Sequence, residues 1–484
     1  MSPRIRLAEG QRRLENAYRR RRAIVAQQRA DASAAMARTI TELAMTIGEL
    51  SLASGASASR TTTMLRQVTR AYGLPMYIDI TYTRIILSYQ PSVEGDPITV
   101  MRLVGTGGTE YDRLTRLETL VVRIHEERLT LDEAREQLRE IVEQPRVYRP
   151  WVLLLAAAVM GGGVAMLLGG NWADIAVAFL ATGLVELVRR ELVARGLASF
   201  FAQAVCAAIP TAIGLGVMAT GPLLDGVPAV APSLVIAAGM VSLLAGLGIV
   251  GAAGDAIDGY YISAVARAAE VTVVTGGIVL GLVLTLWLGL RLGVPAYLAP
   301  AEGFAQVTAV ELVSAAVIAL SFGVSCNMGP RSLVAASGLG LLLWATFELA
   351  GGLLASHPAK AGVAALLVGF VSRLATRPLR IPMVAMITAG IAPLMPGLML
   401  YRAVFGFAVD TAPGIEPGKV LTTTVLTALS LAAGSGFGAN LAGVLLRLRK
   451  LRHRRSLAES GGKPPGPTAA DVAQEAASQP VTGS

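Results

Sequence analysis

The sequence predicts a polytopic α-helical membrane protein: ten transmembrane helices as two inverted five-helix repeats, preceded by a small cytoplasmic α/β domain. Three observations lead to this prediction. Of the 484 residues, 53% are hydrophobic and only 15% are charged, and most charges lie before residue 150 or after residue 446. The middle of the chain contains apolar runs of about 20 residues, the length that crosses a bilayer. One of these runs occurs twice.

The duplicated segments are Ile236–Ala252 and Ile387–Ala403. Apolar composition alone produces matches of Ile, Ala and Leu, but it does not readily align two pairs of glycines. A Gly-interrupted membrane helix present twice is typical of transporters built from two halves. The seven identical pairs are Ile236/Ile387, Ala238/Ala389, Gly239/Gly390, Leu243/Leu394, Gly246/Gly397, Leu247/Leu398 and Ala252/Ala403.

The first 149 residues are polar and divide into two parts. Residues 1–33 form a basic N-terminal arm, either a helix at the membrane surface or disordered. Residues 34–149 predict the cytoplasmic α/β domain, with helices over 34–72 (broken at Gly55) and 109–143. Strand candidates are Met76–Tyr89 and Ile98–Val104. An N-terminus this polar predicts no cleavable signal peptide.

Ten apolar runs follow, five in the first repeat (residues 150–300) and five in the second (residues 301–446). The eighth is the shortest. The duplicated segment is the fourth run of each repeat. The runs are Trp151–Leu168, Trp172–Val188, Ala198–Ala219, Ser233–Ala253, Val271–Leu290, Ala309–Cys326, Ser332–Gly351, Ala361–Leu374, Ile381–Tyr401 and Thr422–Leu446.

The arginines between these runs predict the orientation. If the N-terminus is cytoplasmic, the inner connections carry Arg189, Arg190, Arg195, Arg267, Arg331, Arg373, Arg377 and Arg380, whereas the outer ones carry only Arg291, Lys360, Arg402 and Lys419. This bias follows the positive-inside rule and places both termini in the cytoplasm of a bacterial plasma (inner) membrane. Because five is odd, the second repeat starts on the opposite side, which makes the repeats inverted. Residues 447–484 are a basic flank and a disordered tail.

Composition also excludes other classes. The net charge of +9 is largely arginine beside membrane runs, so nucleic-acid binding is not expected. Cys206 and Cys326 lie in apolar runs and predict neither a disulfide framework nor a metal site. The three histidines are scattered without ligand spacing, and we expect no metal and no cofactor.

The second copy of the repeat contains the strongest candidate site, Pro393, Pro396 and Gly397. Two prolines remove backbone donors, and the freed carbonyls persist in a membrane only if buried in protein or lining a wet cavity. Such a break could bind a polar solute; the alternative is a packing kink. Gly246 in the first copy lacks the prolines, so that copy is a weaker candidate; if one helix unwinds around the solute, we expect it to be the second copy.

Ionisable residues near the runs are the other candidates for the solute or proton path, because charge within a membrane is costly unless paired or functional. Asp255, Asp258 and Arg267, at the cytoplasmic end of the fourth run, could bind an amino group or a proton, or could form a solvated ion pair. The remaining candidates are Asp174 and Glu186, which bracket the second run, and Glu311, Glu348 and Arg402 toward the outer face, with Glu348 foremost. The glycines of Gly434–Gly438 predict helix packing.

A membrane-embedded hydrolase is the alternative outside transport, with His125 beside Asp79 or Asp112. The sequence places no nucleophile beside them, so we expect no enzyme. The N-terminal domain is better interpreted as regulating or gating transport, or as aiding assembly.

Several motifs resemble the threonine/serine exporter family over about residues 37–446. They are Leu52–Ser57, Tyr72–Leu74, the Tyr77–Ser88 strand, Gly169–Asp174, Asp255 with Gly259–Ser263 and Arg267, and Pro393–Gly397. The resemblance implies a secondary exporter of small hydroxylated amino acids (threonine, serine), driven by the proton motive force, with a small amino acid, protons and the lipid bilayer as partners.

Two departures from the family pattern concern substrate preference. The first repeat has Ala245-Gly246 where the family often has Pro-Gly, and Gly259-Tyr260 replaces Gly-Asp. Related split proteins resemble dicarboxylate exporters, so export of small dicarboxylates such as succinate remains the alternative.

Overall fold

A computed structural model describes residues 35–90, 96–105, 108–220, 230–241, 243, 246–294, 309–395, 397–408 and 416–459. The basic arm, residues 1–33, and the tail beyond residue 459 lie outside the described residues.

The N-terminal region, residues 35–149, combines four helices with an antiparallel sheet of order β1-β2-β3. The predicted strand Met76–Tyr89 is in fact a hairpin, because Thr81 pairs with Arg84 across a tight turn. The predicted helix over 109–143 is two helices, since Thr130 and Glu133 form a capping box that starts a new one. The elements are α1 (35–53), α2 (Ala58–Ala71), β1 (Tyr77–Thr81), β2 (Arg84–Tyr89), β3 (Ile98–Leu103), α3 (Tyr111–Glu126) and α4 (Leu131–Glu143).

This region has an apolar core of its own. Alternate strand residues such as Ile85 and Leu87 are fully buried and meet helix residues such as Ile47, Leu65 and Leu117. The period of two in the strands and of three to four in the helices directs these side chains to a common interior.

Apolar helices make up the rest of the described chain. They are α5 (Pro150–Leu167), α6 (Trp172–Ala194), α7 (Ser199–Thr220), α8 (Pro232–Val241), α9 (Gly246–Ile257), α10 (Tyr261–Arg291), α11 (Ala309–Ser325), α12 (Pro330–Leu349), α13 (His357–Leu379), α14 (Met383–Ile391), α15 (Gly397–Ala408) and α16 (Pro417–Glu459).

Six of these helices, α5, α7, α10, α12, α13 and α16, are long and apolar enough to cross a membrane. α8, α11 and α14 are shorter apolar helices. The eighth predicted run, the shortest in the sequence, belongs to α13, whose 23 residues extend it at both ends. The chain is therefore a mostly helical, multi-pass membrane protein.

The two halves of the membrane region use the same packing scheme. In the first half, α5 packs on α6, α7 on α10, and α8 on α5, α6 and α7. In the second half, α11 packs on α12, α13 on α16, and α14 on α11, α12 and α13. α5 and α11, the first helices of the halves, pack against each other and join them.

Glycines allow the closest approach in each half. A Cβ at Gly277 or Gly281 of α10 would collide with a backbone carbonyl of α7. A Cβ at Gly434 or Gly438 of α16 would collide with a backbone carbonyl of α13. The packing role predicted for Gly434–Gly438 is confirmed, and α10 contains its counterpart at the same spacing.

Candidate functional site

Both copies of the duplicated segment are divided into two helices. In the first, α8 ends at Val241 and α9 begins at Gly246. In the second, α14 ends at Ile391, a 3-10 turn covers Ala392–Leu394, and α15 begins at Gly397. The aligned glycines Gly246 and Gly397 thus start equivalent helices. The division is therefore not confined to the copy that contains the prolines.

Packing gives the physical reason why the first copy divides without prolines. α8 packs on α5, α6 and α7, whereas α9 packs on α10 and α16. α14 packs within its own half, whereas α15 packs on α16, α8 and α10. The two parts of each segment therefore pack against different helices, and one straight helix could not contact both groups.

The divided segments meet each other, because α8 packs on α15. Leu400, near the start of α15, belongs to the same buried apolar cluster as Met240, near the end of α8. The first turns of α9 and α15 have free N–H groups and a partial positive charge, whereas the last turns of α8 and α14 have free carbonyls and a partial negative charge.

The second break is enclosed by protein. Pro393 is buried in the 3-10 turn and packs beside Gly340 of α12, and Leu394 and Met395 are also buried. Pro396 lies outside the described residues. Protein around the turn provides the burial that freed backbone groups require in a membrane.

The first glycine of each copy serves packing. A Cβ at Gly239 would collide with the ring of Pro210 in α7. A Cβ at Gly390 would lie 2.9 Å from Cβ of Leu339 in α12. These glycines let α8 and α14 approach their neighbours closely, which distinguishes them from Gly246 and Gly397 at the helix starts.

Asp255, at the end of α9, is buried, so the interpretation as a solvated pair was wrong. Its side chain is 0% exposed, and Nε of Arg267 in α10 lies 3.3 Å from its Oδ2. The backbone N–H of Ala58, the first residue of α2, donates to its Oδ1 over 3.3 Å. A carboxylate at a helix N-terminus is favoured by the helix dipole. Asp255 thereby joins the membrane helices to the N-terminal region.

Asp258 reinforces this contact. It follows α9 and is exposed, yet partial desolvation by the neighbouring protein raises the pKa of its carboxyl group, while a hydrogen bond with the Ser59 side chain opposes the shift. Arg267 extends the contact to the β1–β2 turn, where its guanidinium lies 5.0 Å from the centre of the Tyr82 ring.

The Tyr82 hydroxyl in turn donates to Glu270 of α10. Burial, and then this bond to the carboxylate, raise the pKa of Tyr82 to about 12. The Tyr82 phenol is therefore neutral at physiological pH and remains a hydrogen-bond donor.

A second junction was missed by the sequence analysis. The hydroxyls of Tyr111, in α3, and Thr388, in α14, lie 3.0 Å apart, and both residues are buried. The Tyr111 N–H donates to the Cys326 carbonyl over 3.0 Å, and the Tyr148 hydroxyl donates to the Met328 carbonyl over 2.8 Å. Thr388 could have been noticed as the one polar residue in Met383–Met395. Tyr111 has no such signal.

A small open pocket lies beside this junction, and its charges are mostly paired. Glu110 bonds Arg113 and Arg146 at 2.8 and 2.9 Å, and Asp112 bonds Arg116 at 2.7 Å. The Glu110–Arg146 pair holds the start of α3 against the chain that leads into α5, and the other two pairs lie within the first turns of α3.

Asp174, a candidate for the solute path, is buried, and a backbone N–H group donates to each of its two carboxylate oxygens. It accepts from the N–H of Asn171 over 2.9 Å and from the N–H of Ala231 over 2.7 Å. It thus ties the α5–α6 turn to the start of α8, and its geometry is that of a structural cap. Glu186, at the other end of α6, bonds Arg189 and Arg190.

Two of the three remaining ionisable candidates lie where α12 packs on α11 and α13. Glu311 is buried and accepts from the Trp344 indole over 3.3 Å. Glu348 is half-buried and within electrostatic reach of Glu311 and Lys360. His357 lies here too, with its Nδ1 3.4 Å from the Thr427 hydroxyl. Arg402, the third candidate, is half-buried on α15.

The residues of the hydrolase alternative are not brought together. Asp112 and His125 lie at opposite ends of α3, about 20 Å apart at 1.5 Å per residue. Asp79 is on the exposed face of β1. Over the described residues, no group of three His, Cys, Asp or Glu side chains is placed to hold a metal ion.

The sequence is similar to known proteins over most of its length. A family model described as "Putative threonine/serine exporter" matches residues 42–289, and one described as "Threonine/Serine exporter, ThrE" matches residues 311–439. A "Probable threonine/serine exporter" of Mycobacterium tuberculosis is 32% identical over 402 residues, which cover 81% of this chain and 74% of the relative. The "Threonine/serine exporter" of Corynebacterium glutamicum is 33% identical over 404 residues, 82% of this chain and 81% of the relative. No solved structure matches. The chain belongs to the threonine/serine exporter family.

Proposed function

We propose that the protein is a secondary active exporter of threonine and serine across the bacterial plasma membrane. The observation that carries this proposal is that both copies of the duplicated segment are divided into two helices. The second helix of each copy, α9 or α15, starts at one of the aligned glycines Gly246 and Gly397, and the two copies pack together through α8 and α15. Divided helices at the meeting point of two repeats are where secondary transporters bind their solutes. The relatives named as exporters of threonine and serine supply the solute.

The topology we propose has ten crossings in two inverted repeats, with each divided pair counted as one crossing. The contacts of the N-terminal region support it, because they fall on the end of α9, the α11–α12 turn and Thr388 of α14, which lies in the first half of the ninth crossing. Ten crossings place all three on the cytoplasmic side. The contact between Asp174 and Ala231 falls on the opposite side in the same scheme.

We place the solute at the two breaks, with Gly246, Pro393, Pro396 and Gly397 in the backbone that contacts it. A zwitterionic amino acid needs a positive partner for its carboxylate and a negative partner for its ammonium group. The N-terminal ends of α9 and α15 supply the first, and the carbonyl ends of α8 and α14 supply the second. The arrangement needs no charged side chain in the membrane interior.

Protons are the coupling ion in this proposal, with Glu348 and Glu311 as the carriers. Glu311 is buried beside a neutral indole donor, and Glu348 lies within reach of its charge. A carboxyl group within a membrane segment is costly unless it is paired or serves function, which makes these two the candidates for carrying protons. Influx of a proton would then drive efflux of the amino acid.

Efflux from proteoliposomes loaded with labelled threonine, with and without an inward proton gradient, tests the proposal. We expect the gradient to accelerate efflux and unlabelled serine to compete. Competition by succinate but not by serine would favour the dicarboxylate alternative instead.

The proton carriers are tested by Glu348→Gln and Glu311→Gln in the same assay. We expect threonine exchange to persist while its acceleration by the gradient is lost. Glu191→Gln, at an exposed ion pair with Arg195, is the matched control and should keep the acceleration. Acceleration retained in both carrier variants would exclude these carboxylates.

A further inference from the structure

The N-terminal region and the membrane helices interlock. Ala56, Tyr111 and Leu114 belong to the same buried apolar cluster as residues of α11, α12 and α14. In the other direction, Tyr260, between α9 and α10, packs against the core of the N-terminal region. Each part therefore inserts apolar side chains into the other.

Each attachment includes one helix of a divided segment. Asp255 of α9 accepts from the N–H of Ala58, at the start of α2. Thr388 of α14 bonds Tyr111, at the start of α3. α2 and α3 pack on each other, so the N-terminal region is a brace that links the divided segment of one half to that of the other.

The Thr388 hydroxyl donates to the Tyr111 hydroxyl over 3.0 Å, and the Val384 carbonyl oxygen, 2.8 Å away, is a second acceptor for the same hydroxyl. Removing the Tyr111 hydroxyl deletes the bond between the helices and leaves Thr388 satisfied by Val384. Removing the Thr388 hydroxyl leaves the buried Tyr111 hydroxyl without this donor.

We propose that this brace is the cytoplasmic closure of the transport path, and that Tyr111 and Asp255 are positioning residues which hold the divided segments until the brace releases. The inference rests on the proposed export function. While the brace holds, only a small fraction of molecules can accept solute from the cytoplasm, and the apparent affinity is reduced by that fraction. Loosening the brace raises the fraction and lowers the apparent KM for cytoplasmic threonine.

Cys326 is a natural reporter of this release. It is buried, and its carbonyl accepts the Tyr111 N–H, so it lies directly beneath the closure. The sequence contains one other cysteine, Cys206, and Cys206→Ser leaves Cys326 as the single thiol. In inside-out vesicles, a membrane-impermeant maleimide then reaches Cys326 only when the closure opens.

We expect Tyr111→Phe to increase the rate of Cys326 labelling about fivefold, the population change that follows from losing one hydrogen bond. Thr388→Val should increase it further, and Thr388→Ser should restore the wild-type rate. Tyr72→Phe is the matched control, because the Tyr72 hydroxyl contacts only the Thr130 carbonyl within the N-terminal region, at 3.4 Å. It should label like wild type.

Threonine transport in the same vesicles distinguishes a positioning role of Tyr111 from a role in stability alone. Tyr111→Phe should lower the apparent KM for cytoplasmic threonine by up to about fivefold. A destabilised protein would instead lose maximal rate without a lower KM. Unchanged labelling in both Tyr111→Phe and Thr388→Val would overturn the closure. Labelling of Cys326 does not require a solute. If the variants label faster but the wild-type protein does not transport threonine, the export proposal is rejected and the proposed closure is retained.

Discussion

Asp255 lies where three helices meet, because it bonds the start of α2, pairs with Arg267 of α10 and belongs itself to α9. Its charge is withdrawn from water, and its partner is 18% exposed. Such an ion pair contributes little more to the free energy of folding than an apolar replacement of both residues would. Removing one member, however, leaves the other charge buried without its partner. The pair therefore matters more for holding these helices in one arrangement than for net stability.

Asp255→Asn should destabilise the protein by about 3 kcal/mol, the lower range for breaking a buried pair. Thermal unfolding in detergent measures the loss. Glu191→Gln is the control, because its bond to Arg195 is exposed and worth at most about 1 kcal/mol. Equal unfolding temperatures for the two variants would contradict the burial of Asp255.

Asp174 gives a second test at this scale. Asp174→Ala removes the acceptor for the N–H groups of Asn171 and Ala231, which should cost about 1–3 kcal/mol. Because the carboxylate is occupied by the backbone, we expect the apparent KM for threonine to remain at the wild-type value. A changed KM at normal unfolding temperature would return Asp174 to the solute path.

At the scale of elements, glycine determines how closely the third and fifth helices of each half approach. Gly281 and Gly438 lie against carbonyl groups of α7 and α13, with no space for a methyl group. The two contacts are equivalent in the two halves. The close approach of the third and fifth helices thus occurs in both halves.

Gly438→Ala should destabilise the protein by about 1–3 kcal/mol, the usual cost of overpacking, and Gly281→Ala should do the same. Gly436→Ala, in the same helix, is the control, because its Cβ would lie 3.9 Å from Ile257 in ordinary contact. Thermal unfolding in detergent compares them. A Gly438→Ala variant as stable as Gly436→Ala would show that α13 and α16 can separate without cost.

The divided segments lead to a prediction about proline. The first copy divides without prolines, so packing should suffice in the second copy too. Pro393→Ala should therefore keep threonine efflux within about threefold of wild type, which corresponds to a change in the barrier of less than about 0.7 kcal/mol. Loss of efflux with intact folding would show that the proline, and not the surrounding helices, maintains the break.

At the scale of the whole molecule, the contacts of Asp255, Cys326 and Met328 with the N-terminal region fall on one side of the proposed bilayer. The inward positions include Arg195, and the outward ones include Leu292 and Leu353, all exposed. With ten crossings, Arg195 lies on the cytoplasmic side, and Leu292 and Leu353 lie on the outer side. With fewer crossings, at least one of these three residues would lie on the other side.

Single cysteines at these positions, in a Cys206→Ser/Cys326→Ser background, test the topology. A membrane-impermeant maleimide should label Leu292→Cys and Leu353→Cys in intact cells, and Arg195→Cys only in inside-out vesicles. Labelling of Arg195→Cys in intact cells would exclude the proposed orientation.

The sequence by itself determined the membrane class, the positions of the apolar helices, the family and the aligned glycines that start α9 and α15. These features are local: hydropathy, helical periodicity and turn residues act within one segment. For the same reason the sequence missed the hairpin within Met76–Tyr89, where the alternating pattern continues through the turn.

Only the tertiary structure decided that both copies divide, that Asp255 is buried and that Tyr111 bonds Thr388. Each depends on neighbours far apart in the chain: α9 breaks from α8 because α10 and α16 lie beside it, and Tyr111 gains its role from a threonine in α14. Side-chain burial and helix division are set by what packs around a segment, and composition along the segment does not contain that information.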